Sequence, residues 1–293
     1  MSDQSGFPDL RDPVMVAAFE GWNDAGEAAS AAVAHLVQVW DAEPITELDP
    51  EEYHDFQVNR PSVGEVDGRR QITWPTTRLY WARPAVASRD VVIVRGIEPS
   101  MRWRRFTGEL LGLADKLKVG TLITLGALLA DVPHTRPIPV TSTSDDKQLL
   151  EELAIEPSRY EGPTGIVGVL QETATRSGLP TLSLWAAVPH YVGQSPSPKA
   201  TLALLRKIEE MLDMTVPLGE LPEDARAWER GVDELAEEDS EIGEYVRQLE
   251  EAKDTAELPE ASGEAIAREF ERYLRRRDDD GPGPGRSGPG RRS

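Results

Sequence analysis

Most of the chain alternates short apolar runs with helical patterns. Four runs have the length and composition of buried strands, and they fall at residues 14–19, 91–95, 122–125 and 182–188. Predicted helices separate most of these runs. The first helix begins at about Ala25, and the later ones cover residues 103–117, 145–153, 168–177 and 198–212. Alternation of this kind predicts an α/β fold with a mainly parallel sheet and helices on its faces.

The segment between the first helix and residue 91 has a different pattern. Three shorter segments, at residues 45–48, 56–59 and 72–81, have the composition of strands, with glycine or proline at their borders. This pattern predicts a hairpin or a meander that is added to the sheet. Because hairpin strands run antiparallel to each other, we expect the sheet as a whole to be mixed.

No strand pattern follows Val216, and the rest of the chain is acidic. Residues 216–280 contain 22 acidic and 9 basic residues. Two or three helices are expected there, because apolar residues keep the spacing of narrow helical stripes. Such a stripe must pack on another surface, either the parent domain or a neighbouring subunit, and the linker at 258–263 allows both. The stripes are Trp228, Val232 and Leu235, then Ile242, Tyr245, Val246 and Leu249, then Ile266, Phe270 and Leu274.

These patterns divide the chain into four parts. The glycine, proline and arginine of the last segment cannot bury enough apolar surface to fold. We therefore expect a flexible N-terminus at residues 1–12, an α/β domain at 13–217, an acidic helical extension at 218–277 and a disordered tail at 278–293.

The loop after the first apolar run is the most informative segment for function. Residues 20–24 would lie at the carboxyl end of a buried strand, and open α/β sheets bind their ligands at that edge. Asp24 and Glu27 also have the spacing of a capping box, which satisfies free N–H groups at the start of a helix. Asp24 therefore has two interpretations, as a helix cap and as a functional carboxylate.

Composition argues against several classes of protein. The chain of 293 residues has a net charge of −20 and no concentrated basic surface, so no nucleic-acid partner is expected. It has no cysteine and four scattered histidines, so no metal site is expected. The longest apolar stretch, at 122–130, is too short to cross a bilayer, and the N-terminus lacks a signal pattern. We expect a cytoplasmic protein with no membrane partner.

The usual catalytic and cofactor motifs are missing from the sequence. It has no motif for a dinucleotide, for a nucleotide phosphate, for a serine hydrolase or for a zinc protease, so no cofactor is expected. The candidates are instead the polar and aromatic residues that follow the four apolar runs, because the fold would bring them to one edge of the sheet. They are Glu20, Trp22, Asn23, Asp24, Arg95, Glu98, Asp131, His134, His190 and Tyr191.

Each candidate also has a purely structural interpretation. Glu20 is either functional or a solvated carboxylate at a strand end. His134 and His190 lie in proline-rich loops that either aim the imidazole inward or hold it in ordinary hydrogen bonds. The arginines at 102, 104 and 105 either face an anion or form ion pairs, the interpretation we favour on an acidic protein. The glycines at 162, 165 and 168 allow close approach to a ligand or to another backbone.

Several segments of this chain occur together in one known family. They are residues 19–26 (FEGWNDAG), 96–100 (GIEPS) with Trp103 and Phe106, 126–137 (GALLADVPHTRP), 162–166 (GPTGI) and 189–191 (PHY) leading to Pro198. Through them, residues 13–217 resemble the proteasome assembly chaperone family, in the second-chaperone type found in prokaryotes. The resemblance implies a three-layer α/β domain with a topology similar to nucleoside phosphorylases. It also implies a homo-oligomer, with a trimer as the candidate size, and no established catalytic residues.

The C-terminus departs from the family pattern. Members that act on proteasomes typically end in a hydrophobic residue, a tyrosine and one more residue, which insert between subunits of the proteasome ring. This sequence ends Gly290-Arg291-Arg292-Ser293. A ring contact of that type is therefore not expected from these residues.

Two functions are consistent with the sequence. The first is a non-enzymatic assembly factor that binds proteasome subunits or other proteins as a homo-oligomer, and the missing catalytic motifs favour it. The alternative is a protein that binds a nucleoside-like or anionic small molecule, or a phosphorylase-like or hydrolase-like enzyme, at the carboxyl edge of the sheet. In that case Trp22 and Tyr191 would stack on a base.

Overall fold

The fold is built on a seven-stranded mixed sheet. The computed structural model describes residues 6–66, 68–85, 87–155, 157–158, 160–193 and 196–257. The strands are β1 (Val14–Glu20), β2 (Glu43–Glu47), β3 (Ser62–Val66), β4 (Arg69–Thr73), β5 (Arg78–Ala82), β6 (Val91–Ile97), β7 (Thr121–Ala130), β8 (Val140–Thr143) and β9 (Thr181–Pro189). Their order in the main sheet is β2-β5-β6-β1-β7-β9-β8, and β3 and β4 form a separate two-stranded hairpin.

Helices connect most of the strands. Single 3-10 turns cover Ala25–Glu27 and His190–Val192. The α-helices are α1 (Ala28–Val39), α2 (Pro50–Tyr53), α3 (Trp103–Lys116), α4 (Lys147–Leu153), α5 (Ile166–Arg176), α6 (Pro198–Leu212), α7 (Leu221–Glu238) and α8 (Ser240–Glu257).

The strand directions confirm the predicted fold class. The four central strands, β6, β1, β7 and β9, are paired in parallel, and β2 runs in the same direction. Strands β5 and β8 run antiparallel to their neighbours. The sheet is therefore mixed and mainly parallel, as the sequence pattern indicates.

Strand β1 lies at the centre of three layers. Helices α1 and α6 cover one face of the sheet, and α3 and α5 cover the other. Because successive side chains of a strand point to opposite faces, β1 contributes to both cores. Val14, Val16 and Ala18 belong to the core under α1 and α6, whereas Met15, Ala17 and Phe19 belong to the core under α3 and α5.

The acidic helices α7 and α8 pack on their own chain. Helix α7 packs on α6, and α8 packs on α7, with Val232 and Val246 buried. Of the two alternatives left by the sequence, the structure therefore shows docking on the parent domain for these two helices. Several predicted segments lie outside the described residues. They are residues 1–5 of the N-terminus, the linker at 258–263, the third stripe of Ile266, Phe270 and Leu274, and the tail at 278–293. Of the helices that are described, none has the length and apolarity needed to span a membrane.

Two of the short strand predictions need correction. Residues 56–59 form a turn, because the Asp55 carboxylate accepts a hydrogen bond from the Gln57 N–H at 2.8 Å and the Asp55 carbonyl accepts one from Asn59 at 2.8 Å. The predicted strand at 72–81 is split in two around Pro75, which lacks the N–H that a continuous ladder requires. Strands β3 and β8 are short and lie outside the segments predicted as strands.

The start of the first helix also differs from the prediction. Gly26 and Glu27 have φ angles of 60° and 52°, so residues 25–27 form a separate turn and α1 begins at Ala28. The predicted capping box between Asp24 and Glu27 is wrong. The Asp24 carboxylate instead accepts from N–H groups further along, at Ala29 and Ser30.

Asp90 fixes the N-terminal segment against the start of β6. Its side chain is fully buried, and its carboxylate accepts hydrogen bonds from Arg11 at 2.8 Å and from Arg83 at 2.7 Å. Burial alone raises the pKa of Asp90. The hydrogen bonds from Arg83 and Arg11 outweigh that effect and hold the pKa well below its usual range.

We expect Asp90→Asn to lower the free energy of unfolding by about 2 kcal/mol at neutral pH, because two guanidinium groups lose a charged acceptor. A lowered pKa in the folded state stabilises the protein above the ordinary value of 3.8, and the effect disappears as pH falls through the lowered value. Urea unfolding at neutral and acidic pH measures the difference between variant and parent.

Asp12→Asn is the matched control, since Asp12 is exposed and pairs with the single residue Arg89 at 2.7 Å. We expect that substitution to change the unfolding free energy by less than about 0.5 kcal/mol. Equal losses in the two variants, or a loss at Asp90 that does not depend on pH, would contradict the proposed role of Asp90.

Candidate functional site

The carboxyl ends of β1, β6, β7 and β9 lie at one edge of the sheet, because these strands are parallel neighbours. The structure places the sequence candidates along this edge in two groups. The groups are linked where the Ala127 N–H of β7 donates to the Asn23 carbonyl at 2.8 Å. We name them the β1–β6 group, which is Glu20, Trp22, Asn23, Asp24, Arg95 and Glu98, and the β7–β9 group, which is Asp131, His134, His190 and Tyr191.

Glu98 connects three elements within the β1–β6 group. Its Oε1 accepts hydrogen bonds from Asn23 Nδ2 at 3.0 Å and from the Ile166 backbone N–H at 2.8 Å. Ile166 is the first residue of α5, and the preceding Gly165 has no side chain to cap the helix. Glu98 therefore supplies both an acceptor and a negative charge at the positive end of this helix. Its contacts join the loop after β1 to the ends of β6 and α5.

Asp24 has the geometry of a helix cap. It is 7% exposed, and its Oδ1 accepts from the backbone N–H groups of Ala29 at 2.7 Å and Ser30 at 3.2 Å. Burial raises the pKa of Asp24, and the hydrogen bonds from Ser30 and Ala29 oppose that rise. These contacts account for Asp24 without a catalytic role.

Glu20 and Trp22 are accessible members of the same group. Trp22 is 65% exposed. The Glu20 side chain is half-exposed, and its Oε1 lies 3.9 Å from an Arg95 nitrogen, beyond hydrogen-bond distance. Burial raises the pKa of Glu20; Arg95 opposes this effect, whereas the charges of Asp24 and Glu27 add to it.

His134 is the buried centre of the β7–β9 group. Its ring is 1% exposed, with Nδ1 at 2.8 Å from the Tyr191 hydroxyl and Nε2 at 3.0 Å from Asp233 of α7. A carboxylate only accepts hydrogen bonds, so Nε2 donates to Asp233 and, in the neutral ring, Nδ1 accepts from the hydroxyl. The same hydroxyl accepts the His134 backbone N–H at 2.8 Å. Burial raises the pKa of Tyr191 to about 12.

Asp131 and His190 lie on the exposed side of this group. The Tyr245 hydroxyl of α8 donates to the Asp131 carboxylate at 3.0 Å, and His190 Nδ1 lies 3.4 Å from the same carboxylate. The Tyr245 ring packs edge to face against both His190 and Tyr191, with ring centroids 5.2 Å and 6.0 Å apart. A residue from the acidic extension therefore covers part of the predicted edge.

Ion pairs attach α7 and α8 to the loop at 131–136. Arg136 forms two hydrogen bonds to the Asp254 carboxylate, at 2.9 and 2.7 Å, and one to Glu250 at 3.2 Å. Lys199 of α6 donates to the His134 carbonyl and contacts Glu229 of α7 at 2.7 Å. The acidic residues of the extension thus meet basic and histidine side chains of the parent domain.

The described edge has the geometry of a polar network between protein elements. Both ring nitrogens of His134 are engaged, and Glu98 and Asp24 bind backbone N–H groups. No group of three or more histidine and carboxylate residues suited to hold a metal ion occurs within the described ranges. Away from this edge, Glu52 binds both Arg102 and Arg105, which agrees with the ion-pair interpretation for these two arginines.

The sequence did not reveal the partners supplied by the extension. The sequence pattern puts Tyr245 on an apolar stripe. Nothing in the spacing of Asp233, Glu250 or Asp254 indicates that they contact a loop about 100 residues earlier. The surplus of acidic residues in the extension is the available signal, because it favours contact with the basic and histidine side chains of the parent domain.

Taken together, the sheet covered by helices on both faces and the contacts along its carboxyl edge define a three-layer α/β protein. The family model described as the PAC2 family matches residues 18–236, and the chain belongs to this family. The resemblance seen in the sequence is therefore confirmed. The match extends into most of α7.

Two similar crystal structures share more than half of their aligned residues with this chain. A PAC2 family protein from Streptomyces avermitilis is 60% identical, covers 80% of this chain and 100% of its own, and has a TM-score of 0.76. A proteasome-assembly chaperone homologue from Mycobacterium tuberculosis is 53% identical, covers 80% of this chain and 99% of its own, and has a TM-score of 0.73.

A more distant structure shares the fold alone. PbaB from Pyrococcus furiosus, an archaeal proteasome activator, is 19% identical and covers 78% of this chain and 95% of its own, with a TM-score of 0.63. Among curated proteins, none matches the chain.

We expect Gly165→Ala to lower the free energy of unfolding by about 2 kcal/mol, because a Cβ there would lie 2.2 Å from Asn23 Nδ2 and displace it from Glu98. Urea unfolding measures the loss. The control is Gly112→Ala on α3, where a Cβ meets nothing within 4 Å and alanine favours the helix. A variant at Gly165 as stable as the parent would show that the contact is not needed.

Arg136→Ala is expected to loosen α8, because the helix loses its ion pairs to Glu250 and Asp254. Hydrogen exchange should become about fivefold faster in residues 240–257, with the sheet unchanged. Arg247→Ala, on the exposed side of α8, is the control. If both variants exchange alike, the ion pairs of Arg136 do not hold the helix.

Proposed function

We propose that this protein is a non-enzymatic assembly factor that binds proteasome subunits. The observation that carries the proposal is the match to the PAC2 family over residues 18–236, together with 53% identity to a proteasome-assembly chaperone homologue. The structure of the edge supports a binding role, because its buried polar groups are already paired with one another. The buried His134 ring has both nitrogens engaged and is 1% exposed, so it is not available as a general base.

Exposed apolar side chains at the carboxyl edge are suited to a protein partner. Trp22 is 65% exposed, and Leu128 and Leu129 at the end of β7 are 45% and 49% exposed. A backbone hydrogen bond joins Asn23 to Ala127. Trp22 precedes Asn23 in the chain and Leu128 follows Ala127, so the two exposed side chains lie on either side of this bond. Large apolar and aromatic side chains of this kind anchor protein interfaces.

The proposal includes two further features. We propose that the protein acts as a homo-oligomer, for which a trimer is the candidate size, and that it works in the cytoplasm where proteasome subunits are assembled. The family relationship supports both. The carboxyl edge and the docked extension are the surfaces that we propose for binding.

The purified full chain should form a complex with proteasome α or β subunits and change their rate of assembly. A Trp22→Ser and Leu128→Ser double variant should weaken that association about tenfold or more, since two exposed apolar anchors are removed. Pull-down and native mass measurements follow the complexes, and sedimentation of the chain alone gives its oligomeric state.

Val58→Ser is the control, because Val58 is 74% exposed on a different loop. Failure of the parent chain to bind any subunit would refute the proteasome role. If the double variant binds as well as the parent chain, the interface with the proteasome subunits lies elsewhere on the protein. A monomeric chain in sedimentation would refute the homo-oligomer.

A further inference from the structure

A cavity of about 260 Å³ lies beside the β1–β6 group. The base of the β3–β4 hairpin forms one wall, and the ends of β5 and β6 form the other. Its lining includes Arg60, Arg78 and Arg95, together with Glu20, Trp74 and Tyr80. We name it the arginine pocket. Of the candidate site residues named from the sequence, Glu20 and Arg95 line this pocket.

The pocket concentrates positive charge in an acidic protein. Three arginines and one glutamate line it, in a chain whose net charge is −20. Arg78 and Arg95 are directly opposite each other in the antiparallel register of β5 and β6. Like charges at opposed positions repel each other, so a bound anion between these two side chains would relieve that repulsion.

The protein itself supplies little of that compensation. Arg78 has an ion pair with Glu47 at 3.0 Å. Arg95 has only the 3.9 Å contact with Glu20 and donates no hydrogen bond within the described chain. Arg60 is exposed and has no ion pair to any described residue. Guanidinium donors of Arg60 and Arg95 are therefore free to bind an oxyanion, which they recognise through paired N–H groups.

The remaining walls indicate the size of the ligand. Trp74 is held in place by Phe56, with ring centroids 4.9 Å apart, and Tyr80 extends from the sheet. Ser62 and Thr73 also line the cavity. A volume of about 260 Å³ lies just below the usual range of ligand pockets, and it favours a small molecule over a folded partner.

We propose that the arginine pocket binds a small molecule that carries phosphate or carboxylate groups. Arg60 and Arg95 contact the oxyanion, and Arg78 adds positive charge from the neighbouring strand. Glu20 opposes binding through its own charge and thereby limits affinity. Binding at this pocket is independent of the proposed action on proteasome subunits.

Calorimetry of the full chain, at constant ionic strength, tests this with inorganic phosphate and citrate as probes. Saturable binding of at least one probe is expected. Arg60→Gln and Arg95→Gln should each weaken it about fivefold, because a charged donor is lost. Glu20→Gln should strengthen it by a similar factor, since the opposing charge is removed. Thermal unfolding of each variant verifies that it is folded.

Arg70→Gln is the matched control, because Arg70 lies exposed on β4, does not line the pocket and changes the net charge equally. It should bind the probes like the parent. Absence of binding by both probes, or equal weakening in Arg70→Gln and Arg95→Gln, would overturn the proposal. A hexaglutamate peptide that binds more tightly than both probes, and depends on Arg95, would overturn the small-molecule occupant in favour of an acidic protein segment.

Discussion

Residues 14–19 of strand β1 are buried on both faces of the sheet, and this constraint organises the rest of the molecule. Its alternate side chains enter two separate cores, so helices must cover the sheet on both sides. With β6 and β7 paired in parallel on either side of it, the loops that leave three strands emerge together at one edge. The candidate site exists because of this arrangement, since residues 20–24 meet residues 98 and 127 only when these strands are neighbours.

The same edge is held by polar contacts rather than by an apolar core. Glu98 accepts hydrogen bonds from two elements, and His134 lies between Tyr191 and Asp233. Buried groups of this kind are costly unless all are paired, and here the partners come from different parts of the chain. The network therefore fixes the positions of loops that would otherwise be independent, which is a requirement for a rigid binding surface.

The structure shows which of the many acidic side chains are paired with basic ones. Net charge describes self-repulsion and dispersal in solution, but it does not say which charges are paired. Glu250 and Asp254 of α8 are partners of Arg136, whereas the arginine pocket retains positive charge that the chain does not neutralise. Two regions of opposite character thus lie at different parts of the edge of the sheet.

The sequence by itself determined the fold class, the central strands and most of the helices. Their signals are local: β1, β6, β7 and β9 are apolar runs, and α3 and α6 have stripes at helical spacing. Family membership was also accessible, because FEGWNDAG and the other segments are read directly from the order of residues. Placement of the polar candidates at one edge followed from the parallel order of strands.

Only the tertiary structure decided which of these residues meet and what each one does. Asp24 became a cap for Ala29 and Ser30 because two residues before them adopt positive φ, which a spacing rule cannot anticipate. Asp233 and Tyr245 reach the edge from helices whose docking depends on side chains distant in sequence. The arginine pocket likewise arises from the register of β5 on β6, and register is set by packing across strands rather than by the composition of either strand.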